Sequence, residues 1–142
     1  MADIDIIATA TFGLEKVVAR EVEALGYGPV RVENSRVSFR ADASAVARCN
    51  IWLRSADRVL IRMGEFKTLS IEELFEQTKA LPWEERLEAD ACFPVEGKSV
   101  KSKLFSVSDC QAIVKKAIVE RLKQFYKKQW FEETGPKYTI EV

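Results

Sequence analysis

The segment from Gly97 to Lys103, Gly-Lys-Ser-Val-Lys-Ser-Lys, combines residue types suited to holding oxygen anions. Lysine supplies charge, a serine hydroxyl donates a hydrogen bond, and glycine lets the backbone come close. A helical pattern follows, carrying Lys115, Lys116, Arg121, Lys123, Lys127 and Lys128. Residues 97–128 hold nine Lys/Arg against two acids, Asp109 and Glu120, although the 142-residue chain has 22 of each sign and no net charge. The basic block therefore stands out against an acidic remainder. It precedes a helix N-terminus, whose free N–H groups and dipole favour phosphate. Gly97-Lys98-Ser99 lacks the upstream glycine of a Walker loop, so the chemistry indicated is backbone-phosphate contact rather than mononucleotide binding.

A charge run is often only a solvated face, but surfaces that serve solubility alone intersperse both signs. A cluster this uneven calls for an anion. A membrane surface is disfavoured, because the helix uses Cys110, Ile113 and Ile118 for a fold core. Other chemistry is scarce. The chain has no histidine, which removes Ser-His-Asp and Cys-His catalysis, a His base and His-ligated metal. Cys49, Cys92 and Cys110 are odd in number and widely spaced, so neither a disulfide framework nor a zinc ribbon is indicated. Glu72, Glu73 and Glu76 suit a helix start and its exposed face, and Phe12-Gly13-Leu14 has one glycine where a dinucleotide or methyl-donor loop needs several. No catalytic residue, metal ligand or resident cofactor is expected within these residues. The N-terminus lacks the pattern of a signal peptide and no apolar run approaches a membrane span, which points to the cytoplasm.

The elements that position the block can be followed along the chain. Ile4 to Ala10 is apolar and β-branched enough for a strand. Gly13 to Leu25 switches to helical spacing through Leu14, Val17, Val18, Val22 and Leu25, with Gly26 at the C-terminal cap. Val30 and Val32, then Val37 and Phe39, alternate with polar residues about Asn34-Ser35, which predicts a hairpin. Asp42 caps a helix to about Leu53, with Val46, Ala47 and Leu53 inward, and Arg58 to Phe66 alternates again. The order is β-α-β-β-α-β, a ferredoxin-like split unit over residues 1–66.

A second unit, residues 67–142, opens at Ser70-Ile71-Glu72-Glu73, a capping box. Ala89 to Val95 forms a strand that leads into the lysine loop. Ser108-Asp109-Cys110-Gln111 is a further capping box, starting a long helix whose apolar positions are Cys110, Ile113, Val114, Ala117, Ile118, Leu122, Phe125 and Tyr126. Lys137 to Val142 alternates as a closing strand. The aromatic residues Trp52, Phe75, Trp83, Phe125 and Tyr126 fit core positions better than base-stacking ones, with Trp130 least assigned to a core.

Several separated motifs, in order, carry a family likeness. They are Ile7-Ala8-Thr9-Ala10 with Gly13-Leu14-Glu15, Asn50-Ile51-Trp52-Leu53-Arg54-Ser55-Ala56-Asp57-Arg58, Phe93-Pro94-Val95 running into Lys98-Ser99-Val100-Lys101-Ser102, and Asp109 to Val119. Together they resemble the N-terminal region of the bacterial THUMP-containing 23S ribosomal RNA guanine-N2 methyltransferases. The resemblance implies an α+β chain, a ferredoxin-like subdomain followed by a truncated THUMP domain. It also implies binding of structured ribosomal RNA, delivered to a C-terminal domain that binds S-adenosylmethionine and lies outside this chain. On that basis Lys98, Lys101, Lys103, Lys115, Lys116, Lys123 and Lys127 are expected to meet phosphates, with Ser99 and Ser102 donating to phosphate or sugar oxygens. Two other readings remain from the residues: a protein-interaction module whose basic face docks an acidic partner, and a small enzyme with a Lys or Cys nucleophile.

Overall fold

The computed structural model describes residues 3–98 and 106–142, which form two compact units, Met1–Met63 and Gly64–Val142. The first has the expected β-α-β-β-α-β order: β1 (Ile4–Ala10), α1 (Glu15–Ala24), β2 (Arg31–Glu33), β3 (Arg36–Ala41), α2 (Ser44–Trp52) and β4 (Ala56–Arg62). The strands make one antiparallel sheet in the order β2-β3-β1-β4. Alternation decides its faces. Ile6, Ala8 and Ala10 of β1 and Val37, Phe39 and Ala41 of β3 are buried with Val18, Ala19 and Val22 of α1 and Ala45 and Cys49 of α2. Each larger side chain buried this way contributes roughly 1.5–3 kcal/mol. Burial also pushes the Cys49 thiol up, so this cysteine packs rather than reacts.

The turns follow the sequence signals. Gly26 ends α1 at φ +93°, where a side chain would be strained, and Ser35 takes φ 62° between β2 and β3. Asp42 accepts the Ser44 hydroxyl at 2.5 Å and the backbone N–H groups of Ser44 and Ala45, which hold its carboxyl below the usual range. The inward set of α2 differs from expectation: Ala45 and Cys49 are buried, while Ala47 is exposed. A helix begun at Ser44 turns 45 and 49 inward, four residues apart, and carries 47 to the opposite side. β4 also starts two residues earlier than the alternation indicates. At its start the register slips between Thr9 and Ala10, and the Thr9 hydroxyl accepts the Arg58 N–H at 3.0 Å.

The second unit contains α3 (Ile71–Lys79), a 3-10 turn at Trp83–Glu85, β5 (Val95–Glu96), α4 (Val107–Tyr126) and β6 (Ile140–Glu141). Ser70 caps α3 by accepting the Glu73 N–H at 3.2 Å, while the Glu73 carboxylate takes the N–H of Leu69 at 3.1 Å. Leu74, Trp83, Leu87, Ala91, Phe93, Val114, Ala117, Ile118 and Leu122 are buried here. The expected strand from Ala89 is shorter than its sequence suggests. β5 pairs with β6 in parallel, and Cys92 bridges Lys137 upstream. Between them Pro94 accepts the Ile140 N–H but has no N–H to give back, which interrupts the ladder.

α4 begins one residue before Ser108, so the proposed capping box there is not formed. Ser106 occupies the cap position without a side-chain bond, and its carbonyl accepts the Cys110 N–H. Of the apolar positions expected on α4, Phe125 is largely exposed, and so is Trp52 at the end of α2. Both lie in the last turn of their helices, past the apolar stripe's contact with the rest of their unit. Tyr126 differs: its hydroxyl donates to the Leu87 carbonyl at 2.7 Å. Among the described residues, no helix is long and apolar enough to cross a membrane.

Candidate nucleic-acid interface

Residues 95–98 lead to the lysine loop along a pinned backbone. The Lys98 N–H donates to the Val142 carbonyl at 2.9 Å and its side chain is exposed. Gly97 has a packing reason beyond any phosphate: a Cβ there would stand 2.9 Å from Val107 Cγ1 and 3.1 Å from Gln111 Cγ. The glycine thus lets the end of β5 lie against the first turn of α4. Ser99, Lys101, Ser102 and Lys103 fall outside the described residues.

On α4 the basic residues divide into three sets. Lys116, Lys123 and Lys127 recur at seven and four residues, which at about 100° per residue puts them on one stripe opposite the buried Val114 and Ile118. That stripe also carries Asp109 and Glu120, and Glu120 sits 3.7 Å from the Lys123 ammonium. Lys127 caps the helix in the left-handed conformation at φ 55°, and it and Lys128 are exposed. Lys116 lies 5.9 Å from the centroid of the Phe75 ring, its charge still exposed.

The other two cations are engaged by protein. Arg121 forms a fork on Glu84, with Nε to Oε2 at 2.9 Å and Nη2 to Oε1 at 2.7 Å. That bond draws the Glu84 carboxyl below its ordinary range and raises the Arg121 guanidinium. Lys115 donates to the Phe93 carbonyl at 3.0 Å and to Glu133, with its ammonium 3.7 Å from the Phe93 ring centroid. The Lys115 hydrogen bond likewise draws Glu133 down. Both acids lie outside residues 97–128, so the local excess of charge is smaller than the segment's own composition indicates. Among the described residues of this segment, the exposed cations are Lys98 at one end of α4, Lys116 along it, and Lys127 with Lys128 at the other end.

The ferredoxin-like sheet brings together arginines that the sequence scatters. Its face away from the helices carries three cross-strand rows: Arg40, Asp5 and Arg62; Arg31, Ser38, Ile7 and Leu60; Glu33, Arg36, Thr9 and Arg58. The parity of Arg31, Arg36, Arg40, Arg58 and Arg62 within their strands is the sequence signal that could have found them. It is masked because residues 1–96 are acidic overall.

Among the described residues, no part of this arrangement fits a methyl-donor cofactor. The β1–α1 connection has only Gly13, and the parallel pair found among the described residues, β5 with β6, is too short to form the cleft such a ligand occupies. The geometry supports anion contact by surface cations.

The THUMP domain family matches residues 69–142, and the RlmL ferredoxin-like domain family matches residues 5–60. The chain belongs to the THUMP domain family. It is 51% identical to "Putative RNA methyltransferase YpsC" of Bacillus subtilis, covering 100% of this chain and 37% of that protein. It is 32% identical to the ribosomal RNA large subunit methyltransferase K/L of Syntrophotalea carbinolica, over 87% of this chain and 17% of that protein. Among solved structures, a Listeria monocytogenes protein described as a predicted N6-adenine-specific DNA methylase matches at TM-score 0.96 and 55% identity, covering 100% of this chain and 37% of that one. SMU.472, described as a putative methyltransferase complexed with SAH, matches at TM-score 0.94 and 42% identity, over 100% of this chain and 38% of that one. This THUMP chain therefore spans well under half the length of the methyltransferases it resembles.

Proposed function

We propose that the chain is the RNA-binding portion of an S-adenosylmethionine-dependent ribosomal RNA guanine-N2 methyltransferase acting in the cytoplasm. Residues 1–66 and 67–142 would be its ferredoxin-like and THUMP parts. Structured ribosomal RNA is the ligand of this chain, while the methyl donor and the methyl-transfer residues belong to the part of the relatives that it does not span. The observation that carries the proposal is the placement of exposed Lys98, Lys127 and Lys128 at the ends of α4, with Lys116 between them. A 20-residue helix is about 30 Å long, so these cations can follow a backbone over several nucleotides. The membership in the THUMP family and the ribosomal RNA methyltransferase relative support RNA as that backbone. Contacts of this kind read shape and phosphate rather than base sequence.

Lys98, Lys101, Lys103, Lys116, Lys123, Lys127 and Lys128 are assigned to phosphate, with Ser99 and Ser102 donating beside them. Lys115 is assigned to the fold, because Glu133 and Phe93 engage its ammonium. Filter-binding titration with a ribosomal RNA stem-loop tests the proposal. Reversal of Lys98, Lys101 and Lys103 to glutamate is expected to abolish binding, and unchanged affinity would refute it. Retention of an acidic protein after nuclease treatment, without RNA affinity, would instead favour the protein-docking reading.

A further inference from the structure

We infer that one end of the ferredoxin-like unit, where Phe12, Leu14, Val17, Ile51 and Trp52 are exposed together, docks the methyltransferase part that the relatives carry in the same polypeptide. This docking rests on the reading of the chain as one portion of a longer methyltransferase, and is independent of its RNA contact.

The fold brings these side chains to one place. β1 ends at Ala10, which pairs with Ala56 at the start of β4, so the residues after β1 lie beside those that join α2 to β4. The turn after β1 closes through the Leu14 N–H on the Thr11 carbonyl at 2.9 Å, with Gly13 at φ +99°, and leaves Phe12 at its tip. Glu21 of α1 accepts the backbone N–H groups of Arg54 at 2.9 Å and Ser55 at 3.2 Å, which turns its flank of α1 toward the end of α2. Val17 lies one turn before Glu21 on that flank, and Leu14 lies a further turn back. On α2, the Arg48 guanidinium stands 5.9 Å from the centroid of the Tyr27 ring, just past the end of α1. Trp52 is one turn beyond Arg48 on the same flank, toward α1, with Ile51 beside it.

Phe12 is 75%, Ile51 74% and Trp52 60% exposed, and Leu14 and Val17, which the helical spacing assigns to the core stripe, are exposed too. Single exposed apolar residues are ordinary. Two aromatic rings of roughly 150–250 Å² each, with aliphatic neighbours, reach the few hundred Å² that mark a contact surface. Charge then selects the occupant. Arg20, one turn along α1 from Val17, borders the patch with Arg48 and Arg54, and all three are exposed. The acid on this flank, Glu21, is engaged by backbone N–H groups. A second copy of the chain would bring two arginine rims together, so the surface fits a partner that is apolar at its centre and acidic around it. The relatives hold a partner in the same polypeptide: the matched residues make up 37% of the Bacillus subtilis and Listeria proteins and 38% of SMU.472. The larger part of each is thus tethered to this unit at high effective concentration.

The test compares the free 142-residue chain with a chimera in which it replaces the matched 38% of SMU.472, the relative complexed with SAH. Hydroxyl-radical footprinting reads the exposure of each side chain. Phe12, Ile51 and Trp52 are expected to react readily in the free chain and at least about threefold less in the chimera, as residues entering a packed interface core do. Phe12→Glu/Ile51→Glu alters two outward side chains, so the melting curve of the free chain should be unaltered while Trp52 of the chimera regains its reactivity. A chimera that binds SAH yet shows undiminished reactivity at all three residues overturns the docking and leaves the longer-methyltransferase reading in place. A chimera that folds without binding SAH removes both. Protection that develops in the free chain with dimer formation assigns the patch to a second copy, and protection there by an RNA stem-loop assigns it to nucleic acid. Either result overturns the docking.

Discussion

Lys115 holds its ammonium 3.7 Å from the centroid of the Phe93 ring and 3.0 Å from the carbonyl oxygen of the same residue. Glu133 completes the arrangement, accepting from Lys115 and, at 3.4 Å, from the Phe93 N–H. One lysine of the basic segment thus ties the strand-leading residues 92–94 to α4 and to the approach to β6. Its charge is used inside the THUMP unit.

Lys115→Met is therefore expected to destabilise the chain by about 1–2 kcal/mol, from the lost charge-assisted bond and ring contact, discounted for partial exposure. RNA affinity at a temperature where the variant is folded should stay within about twofold, because the phosphate-contact term is unaltered. Urea denaturation and a binding titration on the same sample check both halves.

Glu84 and Glu133 give the THUMP unit an acid-sensitive component. Both are held below the ordinary glutamate range, chiefly by hydrogen bonds from Arg121 and Lys115. A carboxyl with a depressed folded pKa adds stability that is fully present above its unfolded value, about 4.3, and is lost as pH falls through the folded value. Melting temperature should therefore drop below about pH 4, and Glu84→Gln should lower stability at neutral pH while flattening that acid decline. A variant with the parental acid slope would contradict the assignment.

Gly97→Ala tests whether the loop glycine serves packing. The added methyl meets Val107 and Gln111 at the start of α4, and overpacking of this kind costs about 1–3 kcal/mol where the neighbours cannot yield. Gly97→Val should cost more than Gly97→Ala. Equal stability of all three proteins would show that α4 adjusts freely.

The Ser70 cap gives a local prediction. Ser70→Ala removes the acceptor for the Glu73 N–H and should cost about 1 kcal/mol, whereas Ser70→Asp should be close to neutral. Thermal denaturation of the three proteins measures it.

The β-α-β-β-α-β order is legible because β-branched alternation and helical spacing switch sharply at Gly13, Gly26 and Asn34-Ser35, and the structure has that order. Helix phase is harder to read. Ala47 fits an inward stripe as well as Ala45 does until the starting residue of α2 is fixed. The first strand of the THUMP unit, β5, is blurred by Pro94, whose carbonyl takes part in a ladder that its nitrogen cannot. At the candidate site the segment's charge was legible, but its neutralisation was not. Glu84 lies 37 residues from Arg121 and Glu133 lies 18 from Lys115, separations that only the fold closes. The arginine rows were hidden for the same reason, since Arg36 and Arg58 become neighbours only through Thr9.

The central claim, that exposed cations of this THUMP chain grip RNA phosphates, is tested most directly by the salt dependence of stem-loop affinity. For the parental chain the account predicts a steep linear fall of log affinity with log salt. For Lys98→Glu/Lys127→Glu/Lys128→Glu it predicts a slope shallower by about two to three. A shallow slope in the parental chain, or equal slopes in the two proteins, would contradict it.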